Sequence, residues 1–422
     1  MIKKSLNAFF LELNSYTKSE KLFILLVMLC SFCITGEFST TKPVSCSLFL
    51  SHFSSTYLPL AWIALLPINF LAVSIYNRYL AKLGCFKIAA LSVGFTILVN
   101  TTGAFVLKTS PWFSFIHFIW KDIYVLLMFQ HLWSVVHATI EKKKAKYLYG
   151  VIYGIGGLGS VCGSCIPGFL ARKLGSEKLL FVTLFFYLFF LLFYFLSLKT
   201  RNAMEKEKTL APIQFDKKQN HDGFKLIIDS PHLKFILMIV VLMQLASTLM
   251  DFQFNTYLQD LIREKDLRTE YAARLFAIVH ALNMIFQFIG AFLLLEVIGL
   301  KSSHFLLPLI FFLYSLFGAF IPNFSIITLS FTTLKACDYS LFTILKEMLY
   351  LPLKTEEKFH AKAVIDVFAY RSAKAIASLA IVLLGSLSLA SAVHTISYLL
   401  CGIFILWMGV AFFFFKKSAV KA

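Results

Sequence analysis

The stretch KTRNAMEKEKTLAPIQFDKKQNHDGFKLIIDS, residues 199–230, interrupts a chain that is otherwise a succession of apolar runs. It is too charged to enter a bilayer and long enough to link two bundles. A hydrocarbon core of about 30 Å needs about 20 apolar residues per helix. By that ruler the N-terminal side holds six spans, at about 22–48, 57–77, 86–107, 112–139, 147–170 and 179–198. The C-terminal side holds six more, at about 233–258, 272–298, 303–321, 324–348, 363–387 and 391–415. The expected organisation is an N-terminal six-helix bundle (1–198), a cytoplasmic linker (199–230) and a C-terminal six-helix bundle (231–422).

Composition agrees with an all-α membrane protein. The 422 residues are 59% hydrophobic and 15% charged, with a mean hydropathy of +0.78. Soluble domains run about 45–50% apolar and about 25% charged. The formal charge of +18 does not make a nucleic-acid groove, because the basic residues are scattered over short loops without interleaved aromatics. Their distribution reads instead as topology. With the N-terminus inside, one side collects Lys3, Lys4, Lys18, Lys21, Arg78, Lys82 and Lys87, then Lys142, Lys143, Lys144 and Lys146, the linker cluster, Lys354, Lys358, Lys416, Lys417 and Lys421. Both termini are therefore expected to be cytoplasmic. Met1 to Lys21 is polar and the next run flows into the fold, so no cleavable signal is read.

Two motifs carry less than their letters promise. Gly154-Ile-Gly156-Gly157-Leu-Gly159 spells a dinucleotide fingerprint, which works only where a strand turns into a helix. Here it lies inside an apolar span with Gly150, Gly163 and Gly168, where small residues let helices approach closely. Cys30 and Cys33, and Cys162 and Cys165, lack the second ligand pair that zinc needs. No metal or cofactor is expected. Nor is an enzyme: there is no G-x-x-x-x-G-K-[ST] loop and no catalytic pair at a membrane face.

The informative residues are charges inside the spans: Lys42, Lys121, Asp122, Asp251, Lys335, Lys346, Asp366, Arg371 and Lys374. An ionised side chain near the midplane costs about 2.5–3.5 kcal/mol on insertion scales, so it needs a partner or a wet cavity. Pro43 is expected to kink or break the first span beside Lys42. Lys335 and Asp338 are three apart and can pair, and Lys362 and Asp366 are four apart and can neutralise each other. Arg371 and Lys374 share a face, and arginine is a good fork for phosphate or carboxylate oxygens. In span four, His131 and His137 titrate near neutral pH and admit proton coupling.

Six plus six spans around a charged linker is the major facilitator layout, and NRYLAKLG (77–84), GFLARKLG (168–175) and GAFLLLEVIGL (290–300) are weak echoes of nested repeats. A more specific likeness lies in KACDYSLFTILKEMLYLPLKTEEKFHAKAVIDVFAYRSAK, residues 335–374. It resembles a segment of the bacterial and plastid nucleotide transporters of the ATP/ADP translocase type, K-Y-S-L-F-D-x-x-K-E-M-x-Y-I-P-L followed by K-A-x-I-D-V. HLWSVVHATI with KAKYLYGVIYGIGGLGSVCGS, and TTKPVS, resemble further segments.

The resemblance implies a secondary transporter and assigns roles. Lys42 falls on the family's first-helix lysine, Lys346 on the lysine of K-E-M and Asp251 on the seventh-helix glutamate. His131 stands where the family has the glutamate of E-L-W, and Thr343 replaces an aspartate. The expectation is nucleotide exchange or uptake across a bacterial inner membrane, or movement of related phosphorylated metabolites. Lys42 and Lys346 would hold phosphate oxygens, aided by Arg371 and Lys374, with His131 and Asp251 as substrate and coupling residues. The alternative is a proton-coupled transporter of another small organic anion or an amino acid. The expected partners are a small anionic substrate and the lipid bilayer, with no nucleic acid and no obligatory protein.

Overall fold

The computed structural model describes residues 16–140, 145–207, 222–353, 361–362, 364–385 and 389–419. Much of the linker (208–221), and Lys3, Lys4, Lys142, Lys143, Lys144, Lys354, Lys358 and Lys421, lie outside the described residues. All regular structure among the described residues is helical. The elements are α1 (Lys18–His52), α2 (Leu58–Val106), α3 (Pro111–Thr139), α4 (Ala145–Leu174), α5 (Leu179–Glu207) and the short α6 (Asp222–Asp229). There follow α7 (Pro231–Leu261), α8 (Lys265–Phe292), α9 (Leu300–Phe320), α10 (Phe324–Cys337), α11 (Thr343–Tyr350), α12 (Tyr370–Leu384) and α13 (Leu389–Ala419). Within α2, Gly84 takes φ 76°, a left-handed conformation that suits glycine. It marks a kink in α2, along which run two candidate spans, Ser55–Leu80 and Lys82–Val106.

Eleven helices among the described residues are long and apolar enough to cross a membrane. The twelfth expected span is the run α10, a π-helical turn at Asp338–Phe342, and α11. Large apolar side chains stand exposed along the spans, among them Phe105, Trp112, Phe288, Phe320 and Phe413. Apolar surface of this extent needs a lipid neighbour. The chain is a multi-pass membrane protein.

Two compact units emerge. The first comprises 1–52, 67–215 and 264–280; the second comprises 53–66, 216–263 and 281–422. The first unit is organised around α1, which packs on α3, α4 and α5. The second is organised around α7, which packs on α10, α12 and α13. In each half the first span therefore contacts the fourth, fifth and sixth. This repeated pattern appears in packing where the sequence carried only weak echoes.

Close approach of α1 and α4 explains the glycine series. A Cβ at Gly163 would collide with the backbone of Gly36, and one at Gly159 with the backbone of Phe32. The contact is then stitched by hydroxyls: Thr35 donates to the Gly156 carbonyl at 2.6 Å and Thr40 to the Gly163 carbonyl at 2.9 Å. Small residues with polar links are the usual glue between helices in lipid.

Of the kink or break expected at Pro43, the break does not occur: α1 is continuous from Lys18 to His52. Residues on both sides of the proline, including Thr40, Thr41, Val44, Ser45 and Leu48, are buried. Neighbouring helices supply the support that lets a spanning helix tolerate proline. At its C-terminal end α5 continues past the expected boundary at 198 through helix-favouring residues of the linker, with Arg201 and Met204 buried.

Gly163→Val is expected to lower folded yield and the thermal midpoint, at a cost of about 1–3 kcal/mol or more because the obstacle is backbone. Gly154→Ala, where a Cβ meets nothing within 4 Å, should leave both unchanged. Fluorescence size-exclusion and thermal scanning in detergent read the contrast.

Candidate functional site

In the second unit two lysines inside the spans each meet an acid. Lys335 ends α10 just before the π-helical turn, and only 4% of it is exposed. Its Nζ donates to Asp251 Oδ2 at 2.7 Å and to Ser247 Oγ at 2.7 Å, both on α7. Ser247 and Asp251 are one helical turn apart, so they present a single face to the ammonium. Ser247 Oγ also lies 3.4 Å from Asp338 Oδ2. The pairing of Lys335 with Asp338 expected from their spacing is not the salt bridge that forms. The chain instead passes into the π-helical turn at Asp338, and Lys335 reaches across to α7.

The second lysine repeats the lesson. Lys346 on α11 donates to Asp366 Oδ1 at 3.1 Å, and the Tyr350 hydroxyl points at the same oxygen from 3.5 Å. Asp366 sits in a second π-helical segment, Val364–Ala369. Lys362, expected to neutralise Asp366, donates to both oxygens of Glu347 at 2.6 and 2.7 Å. The wider turn of a π-helix changes which side chains share a face, so the i,i+4 expectation fails. Such turns inside α-helices occur frequently at functional sites.

Arg371 and Lys374 are half-buried on α12, and the Lys374 Nζ lies 5.2 Å from the centre of the Trp62 ring. An ammonium over the face of an indole is attracted by the ring quadrupole. Gln253 on α7 donates to Ser397 Oγ at 2.7 Å, and Asn255 to the Asp251 carbonyl at 2.7 Å.

The first unit holds the other expected residues. Lys42 is half-buried, with Nζ 4.2 Å from the centre of the Phe276 ring and 6.0 Å from that of Phe38. His131 is fully buried; its Nδ1 faces the Tyr76 hydroxyl at 3.1 Å and its ring meets Tyr76 and Tyr194 edge-on. The contacts of Lys42 and His131 have no residue in common. Lys121 is buried beside Asp122 at 2.9 Å, over the Phe118 ring.

Two groups of residues went unpredicted as sites. Lys335 and Ser247 complete the Asp251 cluster; the four-residue spacing of Ser247 and Asp251 was a legible signal. Glu37 is the other. It is 1% exposed, and its Oε1 accepts from Thr41 at 2.5 Å and from Tyr187 at 2.7 Å. An acidic residue in the middle of an apolar span was the signal for it.

This arrangement places lysine–aspartate pairs within a membrane bundle, beside π-helical turns. That is a common way for transporters to hold charged solutes. Solved structures of similar fold are transporters. A variant of the nucleoside transporter NupG aligns with a TM-score of 0.67 at 13% identity, covering 93% of this chain and 99% of that one. A bacterial homologue of the iron transporter ferroportin, in its inward-facing state, aligns at 0.65 and 14% identity, covering 94% and 98%. A bacterial homologue of the lysosomal transporter Spinster aligns at 0.61 and 10% identity, covering 94% and 97%. No curated protein matches the chain in sequence.

The fold is thus that of a major facilitator-type transporter. Residues 324–417, the segment that carries Lys335, Lys346 and Asp366, match the family model described as TLC ATP/ADP transporter.

Removing one partner of a buried ion pair leaves the other uncompensated, at a cost of about 3–5 kcal/mol; Asp251 is partly open, which favours the lower end. Lys335→Ala and Asp251→Ala should each lower thermal stability, and the double substitution should recover most of the loss. A double-mutant cycle by thermal scanning measures the coupling, and additive losses would deny it.

Proposed function

We propose that this chain is a secondary active transporter that moves nucleotides, or related phosphorylated metabolites, across a bacterial inner membrane by alternating access. The observation that carries the reading is a coincidence: the segment matched to the ATP/ADP transporter model is the segment whose lysines are held in ion pairs inside the bundle. The nucleoside transporter among the structural neighbours is in keeping with it, though at 13% identity that likeness speaks to fold alone.

The chemistry follows from the pairs. Each lysine already has a carboxylate partner, so the empty protein holds no uncompensated ammonium there. A phosphate oxygen offers the same charge-assisted hydrogen bond, and substrate binding becomes an exchange of anions around Lys346 and Lys335. Asp251 and Asp366 then act as internal competitors that take back their lysines on release. Lys42, Arg371 and Lys374 are proposed as further cationic contacts. His131, lodged against Tyr76, is proposed to line the substrate path as a neutral group where relatives carry an acid. The Lys and Arg asymmetry supports cytoplasmic termini.

Bacterial cells expressing the chain should take up radiolabelled ATP or ADP, and excess unlabelled nucleotide should chase it out again. Uptake indistinguishable from that of control cells for every nucleotide in a competition panel would end the proposal. A charge-assisted hydrogen bond contributes about 1.5–3 kcal/mol, so Lys346→Ala should lower uptake on the order of tenfold to a hundredfold. Lys362→Ala, in the more exposed pair with Glu347, should keep uptake near that of the unsubstituted protein. Initial rates normalised to protein in the membrane make the comparison.

A further inference from the structure

In the first unit, Glu37 differs from the membrane-embedded acids that are paired with lysines. Asp122, Asp251 and Asp366 each lie against a lysine. Glu37 is buried on α1, and its Oε1 accepts two hydroxyl protons, from Thr41 and Tyr187. Its Oε2 is buried and has no hydrogen-bond partner among the described residues.

The groups around it are neutral or already engaged. From α2, Asn100 donates to the Tyr187 hydroxyl and to Thr183, each at 3.1 Å. From α3, His117 Nε2 lies 3.2 Å from Asn100 Oδ1, and its Nδ1 lies 3.1 Å from Ser45 Oγ. Lys121, one turn further along α3, is paired with Asp122. From α4 the approaching residues are Gly159 and Gly163. From α8, His280 contacts Ser39 at 3.5 Å. On α1 itself Cys33 lies one turn before, and Lys42 directs its ammonium at Phe276. No ion pair of Glu37 occurs among these.

The hydrogen bonds also have a direction. Asn100 Oδ1 is an acceptor, so the facing His117 Nε2 carries hydrogen. Asn100 donates to Tyr187, and Tyr187 donates to Glu37. Each proton in the line points toward Oε1, which is thereby filled as an acceptor. Oε2 remains the oxygen available for a proton. A bare carboxylate here would stand in low dielectric without a counter-charge, which costs several kcal/mol even after relaxation. Placing the proton on Oε2 removes that charge.

We propose that Glu37 is a proton-binding site of the transport cycle, occupied in this conformation, with Tyr187, Asn100 and His117 as the hydrogen-bonded line that positions it. Asp251, by contrast, is paired with Lys335. When the packing around α1 changes and water or a cation reaches Oε2, the acid can ionise and release its proton to that side of the membrane. The transport role rests on the transporter reading; the protonation of Glu37 does not.

Two measurements on the full-length protein in liposomes test this. Infrared spectra at neutral pH should contain the carbonyl stretch of a buried protonated carboxyl that Glu37→Gln removes. Tyr187→Phe, which deletes one donor to the same carbonyl, should shift that band to higher frequency, and serves if the first variant does not fold. Absence of the band, or a band indifferent to both substitutions, overturns the protonation. In the second measurement an imposed pH gradient should drive ATP or ADP accumulation. Glu37→Gln should lower that accumulation at least about tenfold more than it lowers ATP/ADP exchange at equal pH, a difference of about 1.4 kcal/mol. Exchange that ignores the gradient in the unsubstituted protein overturns the coupling role while leaving nucleotide transport intact. Absence of all nucleotide movement overturns the nucleotide reading, and the infrared result then still decides whether Glu37 holds a proton.

Discussion

An ammonium in a membrane bundle must find a counter-charge or water, and in the second unit that demand is met by pairs that tie one helical element to another. Lys335 on α10 is tied to α7 through Asp251 and Ser247. Lys346 on α11 is tied to the π-helical segment 364–369 through Asp366. These links carry both stability and specificity. They orient helices that would otherwise be held by aromatic stacking, such as Phe254 on Phe331 at 4.1 Å between ring centres. They also leave each of the two lysines with an acidic partner.

The first unit solves a different problem. Its central helix is locked by close backbone approach, Gly36 against Gly163, and by hydroxyls that donate to the carbonyls of α4. Tolerance for bulk is low there, so the polar residues in that core are held in fixed geometry. Glu37, Tyr187, Asn100 and His117 form a line in which nearly every polar atom has one role. One carboxylate oxygen is the exception. The first unit holds ion pairs as well, Lys121 with Asp122 among them, but Glu37 is not in one among the described residues.

Legibility of the sequence followed the range of the interaction. Span positions were readable to within a few residues because helix length is set by bilayer thickness and local apolar content. The glycine series was readable as packing because its spacing puts small residues on one side. Pairings were not. Both i,i+3 and i,i+4 assignments, Lys335 with Asp338 and Lys362 with Asp366, assumed an unbroken α-helical register, and a π-helical turn lies at each place. The break expected at Pro43 assumed a helix without lateral support. Glu37 stood in plain view, but its significance depends on what does not touch it.

The order of residues alone therefore determined that this is an all-helical membrane protein, which charges lie within apolar spans, and which segment resembles a nucleotide transporter. Those properties depend on composition, length and local spacing, each of which is written along the chain. Tertiary structure decided which acid meets which lysine, that α1 and α7 are the centres of their units, and that the buried Glu37 carboxylate has no ion pair among the described residues. Such facts depend on side chains far apart in sequence meeting in a low-dielectric interior, where the nearest partner in space outweighs the nearest partner in the chain.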